Sequence, residues 1–107
     1  MSNRLKIIPA SMRQHIDDAF IDRFVVNLQK SLHCEDELEA MRCTQLDMGC
    51  AGWAIAFEKT CHEMEVPGIY EYWATLRWDE SDLFDAEVAV IAKRLFDSRG
   101  IDLGLPF

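Results

Sequence analysis

Cys43, Leu46, Cys50, Trp53, Phe57, Cys61 and Met64 recur at alternating steps of three and four residues. That period puts them on one continuous face of an α-helix. The stretch MGCAGWAIAF, residues 48–57, holds no charged side chain, and a helix that is apolar around most of its circumference is buried on most sides. The spacing therefore predicts a central helix over about residues 37–66, stopped by Pro67-Gly68. Gly49 and Gly52 weaken such a helix by about 1 kcal/mol each relative to alanine. Either they break it near residue 49 or, with Ala51, Ala54 and Ala56, they form a smooth face that lets another backbone approach. The unbroken phase of the stripe favours the smooth face.

At 107 residues, 50% of them hydrophobic and 28% charged, the chain has the length and composition of one globular domain. It can bury about two-thirds of its unfolded surface without help from disulfides or metal. Its longest uncharged run is far short of the ~20 residues that a membrane span needs. The N-terminal MSNRLKIIPASMRQ is basic, but its apolar part is too short for the core of a signal peptide. A cytoplasmic protein is expected, with Cys34, Cys43, Cys50 and Cys61 as reduced thiols.

Residues 1–10 read as a flexible or extended tail ending at Pro9, with Ser11 as the N-cap of the first helix. Ile16, Phe20, Phe24, Leu28 and Leu32 then follow Met12 at steps of four. This predicts a helix of about 20 residues, with a break near Asp22 as the alternative. Beyond His33-Cys34, Glu35 or Asp36 suits the start of the central helix. Residues 69–78 (IYEYWATLRW) have aromatic strand propensity but no second strong strand to pair with, so a short helix is expected. Asp79 or Ser81 then caps a last helix over about residues 82–98. Its buried face is Phe84, Val88, Ile91 and Leu95, widened by Leu83, Ala86 and Val90, with Gly100 as C-cap. The apolar tail IDLGLPF is expected to dock on the body. The fold class is all-α: three to five helices in a small compact domain around the helix of residues 37–66.

Six soft or borderline ligands, His33, Cys34, Cys43, Cys50, Cys61 and His62, invite a metal reading. No two cysteines share the close spacing of zinc sites, and three lie on the apolar stripe, where cysteine behaves as a small hydrophobe. His62-Glu63 opens like H-E-x-x-H, but residue 66 is valine and the second ligand is missing. The Glu-x-x-His pairs of di-iron bundles are also absent. No nucleophile stands beside a base with a device to hold an oxyanion, and there is no phosphate-binding glycine loop. No metal, no cofactor and no catalysis are expected.

Charge is the remaining feature. The net charge is −8, and residues 14–107 carry 8 basic against 19 acidic side chains. Such a surface repels nucleic acid and anionic membrane and attracts basic partners. One acidic patch is Asp79, Glu80, Asp82, Asp85 and Glu87; a second is Glu35, Asp36, Glu37 and Glu39. Tyr70, Tyr72 and Trp78 lie next to the first patch as candidate anchors, since aromatics rimmed by polar groups are common at protein interfaces. The pattern predicts a non-catalytic module that binds the basic surface of a partner protein. In size and charge the chain resembles small acidic counter-defence proteins of phages and plasmids, such as anti-CRISPR and anti-restriction proteins. That resemblance implies an inhibitor or adaptor that occupies a nucleic-acid-binding site. Two other classes stay open: a metal-binding or redox-sensing protein using the cysteines, and a structural homo-oligomer, such as a homodimer, joined through the apolar face of residues 46–64.

Overall fold

The computed structural model describes residues 7–36, 39–40 and 51–102. Five helices are defined among them: α1 (Ala10–Arg13), α2 (Asp18–Leu32), α3 (Ala51–Glu63), α4 (Pro67–Thr75) and α5 (Trp78–Ser98). The described residues contain no strand, so the fold is all-α, and residues 69–78 belong mostly to a helix. None of these helices is long and apolar enough to cross a membrane.

The expected single helix from Met12 is interrupted just after Arg13. Pro9 starts α1 by accepting the N–H groups of Met12 and Arg13, so Ser11 is not a cap. His15 and Ile16 then bond three residues back rather than four, which tightens the turn and ends α1. Asp17 takes an extended conformation, and its Oδ1 accepts the Phe20 N–H at 3.0 Å. A carboxylate at this position satisfies an otherwise orphaned donor and favours the helix dipole. The break is therefore at residues 14–17, not near Asp22. Ile16 still reaches the core, and Phe20, Phe24 and Leu28 continue that face through α2.

Residues 7–9 lie inside the segment expected as a tail, yet Ile8 is buried and Ile7 packs on the core. The N–H groups of both isoleucines point at Glu87 Oε1, and Tyr72 donates its hydroxyl to the Ile7 carbonyl at 2.9 Å. These bonds supply the partners that a buried non-helical backbone needs.

Helix α3 falls within the span expected as the central helix, residues 37–66, and ends at Glu63; Cys43, Leu46, Gly49 and Cys50 lie outside the described residues. It buries Trp53, Ala56, Phe57, Thr60 and Cys61 against α2 and α4. It is not buried on most sides, because Ile55 is 59% exposed and Glu58, Lys59 and His62 face outward. Gly52 does mark a close approach: a Cβ there would come within 2.5 Å of Leu32 Cδ2 at the end of α2. A polar tie fastens the same two helices. Buried Asn27 donates to Thr60 Oγ1 and Glu63 Oε1, both at 2.9 Å, while the Thr60 hydroxyl donates to the Ala56 carbonyl.

Pro67 begins α4 at its first position, where its missing N–H costs nothing, so Pro67-Gly68 opens a helix rather than only stopping one. Leu76 and Arg77 are extended, and α5 starts at Trp78, earlier than the sequence implied. Its opening N–H groups are not capped by Asp79 or Ser81. Instead Glu80 reaches back to the Arg77 N–H at 3.1 Å, half of a capping box.

Three helices end in the same reverse turn. The N–H groups of Cys34, Val66 and Ile101 bond the carbonyls of Gln29, Cys61 and Phe96 five residues earlier. Each turn needs a left-handed residue, supplied by His33, Glu65 and Gly100. Only glycine accepts that conformation without Cβ strain. The His33 side chain is exposed, so His33→Gly should raise stability by about 0.5–1 kcal/mol, and His33→Val should lower it. Thermal melts of the two variants check this; a melting temperature lowered in His33→Gly would mean that the imidazole contributes more than the strain costs.

Candidate protein-binding surface

The first turn of α5 carries the acidic, aromatic surface. Trp78 is 79% exposed, the largest exposure among the big apolar side chains described. Its neighbour Asp79 is exposed and lies 3.6 Å from the Arg77 guanidinium, a solvated pair of little energetic weight. Glu80 and Asp82 are half-buried, Glu80 through its bond to the Arg77 backbone.

Asp85 and Glu87 do not belong to this surface. Asp85 is 2% exposed and accepts the Trp73 indole N–H at 2.9 Å, while its Oδ2 has no hydrogen-bond partner. Burial pushes its carboxyl up to about 7 against the lowering effect of the Trp73 bond, and the Asp82 charge adds to the rise. The helical phase explains the placement, since residues 85, 89, 92 and 96 fall on one face and all four are buried. Glu87 is turned toward residues 7–13: Arg13 Nη2 lies 2.6 Å from its Oε2, and the Ile7 and Ile8 N–H groups complete its bonding. A carboxylate satisfied in this way holds the N-terminal segment on α5 and has little left to offer a partner.

The aromatic anchors divide similarly. Tyr70 is half-buried against Phe57 and Trp73, and Tyr72 packs on Phe84 with its hydroxyl on Ile7. Both tyrosines are committed within the chain, as is Trp73; only Trp78 is free to insert elsewhere. In the second patch Glu35, Asp36 and Glu39 are exposed, and Glu37 lies outside the described residues. These three form a local cap: Asp36 Oδ1 accepts the Glu39 N–H at 2.8 Å, and Glu39 Oε2 accepts the Glu35 N–H at 3.2 Å.

No protein-family model, curated protein or solved structure matches this chain.

Of the cysteines, Cys61 is fully buried and burial pushes its thiol up to about 12, far from the thiolate that redox or metal chemistry requires. Cys34 is half-buried. Among the described residues no group of three or more histidine, cysteine, aspartate or glutamate side chains is placed to hold a metal ion. Within the apolar stretch considered for self-association, Trp53, Phe57 and Cys61 are buried within the chain, whereas Ile55 is exposed.

Proposed function

We propose that this protein is a non-catalytic, acidic protein-binding module, an inhibitor or adaptor that occupies a basic nucleic-acid-binding surface of a partner protein. The observation that carries this reading is Trp78, exposed at the start of α5 beside Asp79 and Asp82. A large aromatic ring held on a helix end is the kind of anchor that dominates interface energetics, and carboxylates around it complement a basic groove and speed encounter. The net charge of −8 supports the same polarity. Similarity in size and charge to anti-CRISPR and anti-restriction proteins makes counter-defence the setting proposed.

The test passes a host lysate over tagged protein, elutes with salt and challenges the bound fraction with DNA or RNA. A nucleic-acid-binding protein is expected, released at moderate salt and displaced by the polyanion. Trp78→Ala should lower retention by about tenfold or more. Asp79→Lys with Asp82→Lys should do the same while costing about 1–2 kcal/mol of stability, the scale of two charges interacting with the helix dipole. Undiminished binding in both variants would reduce this surface to a solvated helix end.

A further inference from the structure

Helix α5 has two apolar faces: one is buried in the core, and the other is only partly covered, with Ile91 packed against the core and Leu83 exposed. Phe84, Val88, Ala92, Leu95 and Phe96 are buried. Leu83, Ala86, Val90 and Ile91 recur on another face and line a groove of about 270 Å³, bounded by Arg13, Glu87 and Arg94. The sequence pattern would bury this second strip, yet Leu83 is 45% exposed. From Leu83 to Arg94 the groove follows eleven residues of helix, about 16 Å at 1.5 Å per residue. A groove of that length and volume has room for a short hydrocarbon chain.

The charges on the rim are unequal. Arg13 donates to Glu87 and to the Ile8 carbonyl, and Glu87 is further bonded by two backbone N–H groups, so this pair is internally compensated. Arg94 is exposed and takes part in none of the ion pairs found among the described residues. A guanidinium without an ion-pair partner among the described residues thus stands at one end of an apolar groove, in a chain whose net charge is −8.

We propose that this groove binds a medium-chain carboxylate, with the hydrocarbon along Leu83, Ala86, Val90 and Ile91 and the carboxylate on Arg94. Burial of the chain supplies a favourable hydrophobic contribution, and a guanidinium matches a carboxylate with two parallel hydrogen bonds. The matching alcohol fills the slot without pairing Arg94, and the matching ammonium meets the wrong charge. This site is independent of Trp78 and the acidic surface, so either proposal can fail alone.

The test titrates the full isotope-labelled chain with octanoate, octanol and octylammonium and follows backbone amide shifts. Octanoate should give saturable shifts centred on residues 83–94 and bind at least fivefold tighter than octanol. Arg94→Gln should remove that preference, and Leu83→Gln should weaken both ligands; both positions are exposed, and an unchanged melting temperature verifies that each variant folds. Equal affinity for acid and alcohol, shifts scattered over the surface, or an octanoate affinity unaffected by Arg94→Gln would overturn the proposal. So would sedimentation showing a dimer that Leu83→Gln dissociates, because the groove would then belong to a second copy.

Discussion

Phe57→Ala should lower the stability of this protein by about 3–5 kcal/mol, the range for removing a large aromatic side chain from a packed core. The Phe57 ring is fully buried and lies 4.9 to 6.5 Å, centroid to centroid, from Trp53, Phe84, Phe24, Phe20, Trp73 and Tyr70. It touches rings from α2, α3, α4 and α5, so its loss leaves a cavity that no single helix can close by shifting. Domains of this size have only about 5–15 kcal/mol in total. Urea unfolding followed by tryptophan fluorescence measures the change, and near-UV circular dichroism should lose intensity as Trp53 and Trp73 lose their neighbour. Phe57→Leu, which refills part of the volume, should cost well under half as much. A loss below about 1.5 kcal/mol for the alanine variant would show that the helices collapse onto the vacancy.

The second large effect is a dependence on pH that runs opposite to most carboxylates. Burial pushes the Asp85 carboxyl up to about 7 in the folded protein, against an ordinary value of 3.8. Below about 3.8 both the folded and unfolded states carry the proton, and the contribution of Asp85 is fully present. As pH rises, the unfolded chain ionises first while the folded state holds its proton, so stability falls until the folded carboxyl itself ionises near 7. At 1.36 kcal/mol per unit, the contribution lost is on the order of 4 kcal/mol. Asp22 and Glu63 act in the opposite sense, because hydrogen bonds from Arg99 and Asn27 respectively hold their carboxyls low. The informative quantity is therefore the difference between Asp85→Asn and the parent. Asparagine keeps an acceptor for the Trp73 indole but cannot ionise. Measured by urea unfolding at pH 4, 6 and 8, the stability of Asp85→Asn relative to the parent should climb by several kcal/mol. Parallel curves would place Asp85 in contact with water.

The two predictions differ in how far the amino-acid order exposes them. Trp53, Phe57 and Cys61 stand out as core by helical period alone, because their neighbours Glu58, Lys59 and His62 are polar and the contrast is local. Asp85 is read from the sequence as part of the acidic surface, because the acidic run around it masks the phase that it shares with Ala89, Ala92 and Phe96. Glu87 carries no such sign. Its partner Arg13 is 74 residues away, and no local pattern encodes that pairing.

Helical period, Gly100 and the acidic first turn of α5 are properties of neighbouring residues, and short-range sterics and hydrogen bonds suffice to specify them; hence the all-α class and most helix positions are present in the chain itself. Residue order also states the acidic balance and the aromatic setting of Trp78. What tertiary structure alone decides is which of these groups remains available. Trp73, Tyr70 and Tyr72 are absorbed by contacts between helices and Trp78 is not. Glu87 is spent on the N-terminal segment, whereas Arg94 has no ion-pair partner among the described residues and stands beside a partly covered apolar strip. Each outcome depends on a second element arriving from far along the chain, and the desolvation and pairing that it brings are not local quantities.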